Sequence, residues 1–490
     1  MCAIVAVAEV YLAIPSAMKF PPPISLIASS AATSTRLAKR FLEAQRKSAL
    51  LLLAAAAVGT IAGALVSVFH LLLDWAQGVR LVNWPAASPW GTWVLFPGGV
   101  ALILLASVFL VRKLAPEAGG SGVQIVEGAL DGVLPMRWWR VIPVKFIGGS
   151  LALGSGLLMG REGPSIQMGA AVSQAFVDLF RLPKTMVHAL LAAGAGAGLT
   201  AAFNAPFAGI LFVVEEMRPQ FHYSVLSVQA VVLACAISDV VTRFLSGNVA
   251  AITMPILETP DLGVLWLFLV FGVLFGFVGY AFERLLLQSS DRVSRLSGPH
   301  FVAAIAGIGI CIGWAGGIDL RFLGGGENVL EGFLTMSSHF SVLMTVLAVR
   351  WVLTIASYST GAPGGLFAPM LAIGTIGGMA YGELIVSLGL SGELSPAHFA
   401  VAGMGAFFAA VVRAPLTGII LTAEMTGNFT QILPLMLTCM AATLTAHGLG
   451  TRPIYTALLE RDLDRARRST IEQHGGFQVK DEPQPPESTE

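Results

Sequence analysis

Apolar residues in this chain gather into segments of two kinds. Residues 49–73 and 263–282 are uninterrupted, and 93–111 nearly so; a helical bilayer crossing takes about 20 apolar residues. The remaining segments, 141–159, 188–200, 206–214, 301–315, 364–380 and 399–412, are shorter and punctuated by glycine and proline. The mixture predicts an all-α polytopic membrane protein of tilted, short and re-entrant helices rather than a bundle of equal rods. Irregular backbone at membrane depth persists only where protein buries it or where it lines a cavity.

The polar positions between these segments orient the chain. Arg36, Lys39, Arg40, Arg46 and Lys47 precede the first long run, and Arg461, Arg465, Arg467 and Arg468 follow the last apolar segment. Basic flanks stay on the cytoplasmic side, so both termini are expected to be cytoplasmic and the number of crossings even. An amphipathic polar stretch, 284–295, lies near the middle. Residues 1–44 read as a cytoplasmic, partly disordered segment. Its first part, 1–23, lacks a basic n-region and carries Lys19 and three consecutive prolines, which argues against a signal peptide. It is expected to be either a poorly ordered leader or the result of a start placed ahead of a true one at Met18. The transmembrane domain is expected over 45–460, and the polar, Pro- and Glu-rich residues 461–490 as a disordered cytoplasmic tail.

Composition narrows the function. The chain is 55% hydrophobic and only 12% charged, where soluble domains carry about 25% charge. Many of its 54 glycines fall within the apolar segments, where they permit close helix contact and irregular backbone. Zero net charge gives no footing for nucleic-acid binding. Cys2, Cys235, Cys311 and Cys439 are far apart and in apolar surroundings, and are read as packing residues. The eight histidines are scattered and form no zinc pattern, so no metal or cofactor is expected.

The chain repeats itself. Gly160-Arg161-Glu162-Gly163-Pro164 is echoed 205 residues later by Gly365-Leu366-Phe367-Ala368-Pro369. Asn204-Ala205-Pro206-Phe207-Ala208-Gly209 is echoed 209 residues later by Arg413-Ala414-Pro415-Leu416-Thr417-Gly418. The first repeat is expected to cover about 45–245 and the second about 260–460. Repeats broken by Gly and Pro at matching positions point to a transporter whose site lies at their interface.

Three loops and one tyrosine carry the candidate chemistry: residues 119–123, 160–164 and 361–369, and Tyr455 just after the last apolar stretch. Glu162 places a carboxylate in a glycine-rich break at membrane depth, where charges are rare and functional. Broken helices expose N–H groups, and such groups bind anions. Hydroxyls of Ser121 and Tyr455, with backbone N–H groups, can dehydrate an anion without a full counter-charge, which suits an ion that must also leave.

These motifs, in this order, resemble the CLC family of chloride channels and chloride/proton antiporters. The resemblance spans roughly residues 45 to 460 and is notable for the short bacterial antiporters at 205–220 (APFAGILFVVEEMRPQ) and 361–369. It implies a homodimer in the lipid of a bacterial cytoplasmic membrane, with one independent anion pathway per subunit. Each subunit would have about eighteen helices in two inverted halves. Carried over by position, Ser121 and Tyr455 contact the central chloride, and the amides of Leu366 and Phe367 complete that site. Amides around Arg161–Gly163, with those of Phe367 and Ala368, form an outer site. Glu162 becomes the gating glutamate, a carboxylate that occupies an anion position until protonated. Glu216 matches the internal proton relay that the family's antiporters carry and its channels lack; Glu215 is a candidate for proton access.

Other charged residues have plainer readings. An adjacent Glu pair such as Glu215–Glu216 is, without the resemblance, most simply a solvated helix end near Arg218. Lys145 and Arg350, in apolar segments, either set a positive potential along the pathway or form structural ion pairs. Glu127 reads as a buried partner of a basic residue. Glu424, at the position in the second repeat that Glu215 holds in the first, reads as structural. His70, His188 and His447 read as helix-end or core residues. One position departs from the family: the first loop usually runs glycine-serine-glycine-isoleucine-proline, and here it runs Gly120-Ser121-Gly122-Val123-Gln124. Glutamine restores a backbone N–H and frees φ, and Ser121 stays in place. The leading expectation is chloride/proton exchange, with a passive anion channel on the same scaffold as the alternative. A membrane enzyme using Glu215 or Glu216 is disfavoured, because no metal cluster and no Ser/Lys or Asp/Asp constellation accompanies them.

Overall fold

The computed structural model describes residues 24–83, 90–217, 220–221, 223–247, 252, 254–326, 329–330, 332, 339–390 and 392–473. Contacts divide the chain into residues 1–53 and 54–490. In the first unit the described residues are helical from Ile24. The second unit holds the repeats and the candidate site.

Sixteen α-helices, and no β-strand beyond one isolated bridge, make up the described residues. They are α1 (Ile24–Asn83), α2 (Phe96–Leu114), α3 (Val123–Leu130), α4 (Trp138–Gly154), α5 (Glu162–Phe180), α6 (Lys184–Phe203), α7 (Pro206–Glu215) and α8 (Val225–Ser246) in the first half. The second half has α9 (Leu265–Ser294), α10 (Gly298–Ile318), α11 (Phe340–Ser359), α12 (Phe367–Ser387), α13 (Pro396–Val412), α14 (Pro415–Thr426), α15 (Ile432–Gly448) and finally α16 (Ile454–Gln473). Nine described helices are long and apolar enough to cross a membrane. The candidate spans on α6 and α12 are 83% and 72% buried, against 33–44% for the other seven, so these two are interior and the others leave more than half of their windows uncovered by the chain.

The repeat seen in sequence governs packing. Helices α5 and α6 cross at glycines, where a Cβ on Gly169 or Gly198 would collide with the backbone of Gly194 or Ser165. Helices α12 and α13 cross in the same way, Gly374 against Gly403 and Gly378 against Phe399. The next step repeats too. Helices α6 and α13 end on left-handed residues, Asn204 (φ 55°) and Arg413 (φ 69°), and α7 and α14 start at the proline two residues on. A left-handed residue ends a helix and proline suits the first position of the next, so Asn-Ala-Pro and Arg-Ala-Pro encode the same sharp turn.

The C-terminal end of α7 meets the N-terminal end of α14, and the reverse. Glu215 accepts hydrogen bonds from the Leu416 and Thr417 N–H groups at 3.0 and 2.7 Å. Glu424 accepts from the Phe207 and Ala208 N–H groups at 3.2 and 2.8 Å. Two helices that cap one another in this way run antiparallel about a two-fold axis that passes between them, and halves so related are inverted in a membrane.

The amphipathic polar stretch 284–295 forms the last turns and the C-cap of the long helix α9. Two expectations change. The N-terminal segment is helical from Ile24, and residues 1–23 lie outside the described residues. Helix α16 continues to Gln473, so 461–473 is helical where a disordered tail was expected. Arg461 and Arg465 hold it to Asp291 of α9 at 3.2 and 3.6 Å. Residues 474–490 lie outside the described residues.

Candidate anion site

Three loop breaks meet at the centre, each opening a helix. The first, 119–122, precedes α3. Gly120 (φ 59°) and Gly122 (φ 88°) adopt backbone that a side chain would strain. The fully buried Lys145 of α4 fixes the loop by donating to the carbonyls of Ala118, Gly120 and Ser121 at 3.1, 2.8 and 3.1 Å. The second break, 159–161, precedes α5, whose first residue is Glu162. The third, 361–366, precedes α12.

Backbone hydrogen bonds stitch these loops together. Gly160 and Gly365 form an antiparallel bridge, with N–H to carbonyl distances of 2.8 and 2.6 Å in the two directions. The Gly364 N–H donates to the Gly120 carbonyl at 3.1 Å. Each repeat therefore supplies one strand of a miniature ladder, and the motif glycines meet across the interface.

Glu162 sits in this crossing, fully buried. A Cβ on Gly160 would collide with its carboxylate, and one on Gly365 would lie 3.0 Å from Oε2. A Cβ on Gly163 would lie 2.6 Å from both Ser121 oxygens. The Glu162 carboxyl, the N-terminal amides of α5 and α12, and the Ser121 loop thus share one small space. Helix N-termini favour negative charge, and a carboxylate and an anion have the same claim on it.

Tyr455, the second residue of α16, closes the other side. Its ring stacks on Phe367 with centroids 6.1 Å apart, and Phe203, Phe212 and Phe408 surround Phe367. Ser121 Oγ and Tyr455 Oη are buried and neither makes a protein hydrogen bond of normal geometry. Buried hydroxyls left so are costly unless something else uses them. Tyr455 also lies within electrostatic reach of both Glu162 and Glu216.

The structure brings together Ser121, Arg161, Glu162, Gly163, Leu366, Phe367, Ala368 and Tyr455. Arg161 contributes backbone at the start of α5, while its guanidinium turns to Asp74 at 3.5 Å. Glu216 caps the end of α7, with Glu127 and Glu215 as acidic neighbours. Glu215 faces away to cap α14 and also accepts from the Thr417 hydroxyl at 2.8 Å. Arg218 and Pro219 lie outside the described residues. Glu127, read as the partner of a basic residue, is buried beside Asp131 and Glu216 and has no ion pair with a basic side chain among the described residues. No group of residues able to hold a metal ion occurs among the described residues.

Sequence reasoning left the tasks of Lys145 and Arg350 open. Neither forms an ion pair among the described residues; each clamps a loop. Arg350, fully buried on α11, donates to the carbonyls of Arg321, Leu323 and Gly324 at 2.8, 3.4 and 2.9 Å. That loop packs on the site: a Cβ on Gly325 would lie 3.2 Å from the Met159 carbonyl and 3.4 Å from Ala368. Lys145 and Arg350 are 205 residues apart, the offset of the Glu162 motif, and that offset was the available signal. Tyr358, beside Gly120, carried no such signal.

A buried site of helix N-termini, hydroxyls and one carboxylate, at the interface of inverted repeats, defines a membrane transporter for a small anion. The chain matches the model of the family described as "Voltage gated chloride channel" over residues 100–447, and it belongs to that family. It is 44% identical over 436 residues to the H(+)/Cl(-) exchange transporter ClcA of Salmonella arizonae, covering 87% of this chain and 92% of that one. The protein of the same description from Vibrio parahaemolyticus is 43% identical over 433 residues, covering 86% and 92%. Among solved structures, a slow cyanobacterial Cl-/H+ antiporter superposes with a TM-score of 0.78 at 40% identity, covering 84% of this chain and 98% of that one.

Proposed function

We propose that this protein exchanges chloride for protons across the bacterial cytoplasmic membrane. The observation that carries the reading is the position of Glu162, a buried carboxylate at the joint of three loops where helix amides converge. Ionised, it competes with chloride for those amides. Protonated, it loses the charge that holds it there and yields the place. Proton and chloride occupancy are therefore linked through one position. Ser121 and Tyr455 contact the central ion through their hydroxyls, assisted by the amides of Leu366 and Phe367. The outer position uses amides of Arg161–Gly163, Phe367 and Ala368. Glu216 relays protons from inside; the capping bonds of Glu215 leave it a supporting part on that access route. The similar proteins from Salmonella, Vibrio and the cyanobacterium are exchangers rather than channels, which supports coupling over passive conduction.

In the membrane the protein is a homodimer, with both termini cytoplasmic. Apolar side chains exposed on α7, α8, α14 and α15, among them Phe207, Phe244, Leu416 and Leu444, provide surface for lipid and for a second copy.

Reconstitution in liposomes tests the assignment. An imposed chloride gradient should drive protons uphill; a reversal potential indifferent to the pH gradient would show a passive channel instead. Glu162→Gln should abolish proton movement while chloride still passes, and retained coupling in that variant would exclude Glu162 as the gate.

A further inference from the structure

Gln124, where the first loop departs from its family, has a partner. It is the second residue of α3, three positions after Ser121, and is 5% exposed. Its Nε2 donates to Asp462 Oδ2 at 3.4 Å. Asp462 lies on α16 two turns beyond Tyr455. One hydrogen bond thus joins the helix that follows Ser121 to the helix that presents Tyr455. A proline at 124 offers no side-chain donor for it.

Both partners line a cavity of about 440 Å³ whose wall also includes Gly119, Gly120, Tyr358 and Arg465. Through Arg112, Ser294 and Arg465 it adjoins a basic pocket at the same end of the molecule, a fitting collecting surface for anions. Ser121 and Tyr455 are fully buried, so an ion in the cavity reaches the site only when their hydroxyls part. Parting them moves α3 relative to α16, and the Gln124–Asp462 bond spans that gap. Asp462 also meets Arg465 of its own helix at 3.3 Å, and Arg465 is shared with Asp291 of α9. Arg461 is tied to Asp291 as well. Glu117 and Arg112 stand on the same cavity wall.

We propose that Gln124 and Asp462 are positioning residues that latch the inner mouth of the anion pathway, so that breaking their hydrogen bond speeds chloride passage without altering the proton coupling ratio. The proposal rests on Ser121 and Tyr455 being the anion contacts.

The test measures chloride efflux from liposomes carrying the full chain, with Gln124→Leu, Asp462→Ala, the double variant and Asp462→Asn. At 3.4 Å the bond is long enough to fall to the strength of an ordinary neutral hydrogen bond, so each of the first two variants should run roughly two- to tenfold faster. The double should be no faster than the faster single, because one bond is lost in all three. Asp462→Asn keeps an acceptor for Gln124 but loses the charge, and should stay within about twofold of the intact rate, the lower edge of that range. Rates in Gln124→Leu and Asp462→Ala at or below the intact protein's overturn the latch. So does Asp462→Asn matching Asp462→Ala, which would assign the effect to charge alone, and so does additivity in the double. A changed proton-to-chloride ratio overturns it too. Should Gln124→Leu fail to fold, Gln124→Met removes the donor with a straighter chain. Calorimetric chloride binding separates the two readings. Binding undiminished in Ser121→Ala and Tyr455→Phe would sink the anion-contact assignment, whereas binding weakened in both, with unchanged Gln124→Leu rates, sinks only the latch.

Discussion

Lys145 illustrates how a single side chain builds this site without touching the ion. Its ammonium satisfies three carbonyls of the Ser121 loop from a fully buried position. A lone lysine in an apolar run gives no hint of this in sequence, because its partners lie 24–27 residues away and are backbone. Lys145→Met leaves those carbonyls unpaired and should cost about 2–4 kcal/mol, read as a lower melting temperature in detergent together with weaker chloride binding. Unchanged binding would show that the loop keeps its shape without the clamp. Outside the membrane spans, Asp462 and Asp319 make opposite contributions with pH. Burial pushes the Asp462 carboxyl above its usual range, with Arg465 and Gln124 pulling it back. A carboxyl raised in the folded state lends stability below its unfolded pKa and loses it as pH rises through the folded one. Asp462→Asn should therefore raise the melting temperature at pH 7.5, with the gain shrinking toward pH 4. Asp319 is held below its usual range by the Arg321 guanidinium, so its contribution is present above the ordinary carboxyl pKa and fades as pH falls.

Between helices, the reciprocal caps explain why the adjacent acids Glu215 and Glu216 differ. The first reaches across to start α14, and the second ends α7 beside Glu127. Local sequence could not separate them, since the bonds of Glu215 are to residues 201 and 202 positions away. The repeat offset did align Glu215 with Glu424, and the structure gives that alignment its physical meaning: each carboxylate neutralises the exposed amides and positive end of the other helix. Glu215→Gln and Glu424→Gln should each cost about 1 kcal/mol, by similar amounts, in thermal unfolding. Glu215→Gln should also leave the proton-to-chloride ratio intact, where Glu216→Gln should not; a loss of coupling in both would make Glu215 a proton carrier. Helix α16 departs from its sequence reading for a related reason. Its polar residues look like a solvated tail until Asp291, on another helix, is seen to hold Arg461 and Arg465.

At the scale of the whole molecule, the glycine and proline punctuation was legible because it answers a local demand. Left-handed turns, helix starts and backbone-to-backbone crossings each require particular residues at particular positions, and the repeat doubled every signal. What stayed hidden were long-range side-chain bonds to backbone. The completed site has one further property. The groups described in it, from Ser121 through Glu162 and Phe367 to Tyr455, are brought together within one chain, and both repeats contribute to it. A dimer of this protein should accordingly hold two self-sufficient exchangers rather than one shared pathway. If intact and Glu162→Gln chains are co-expressed so that they assemble at random, proton pumping per molecule should fall in direct proportion to the fraction of variant chains. A pathway needing both gates would instead fall as the square of the intact fraction, leaving about a quarter of the activity at an equal mixture, where independent sites leave half. A squared dependence would contradict the single-chain site.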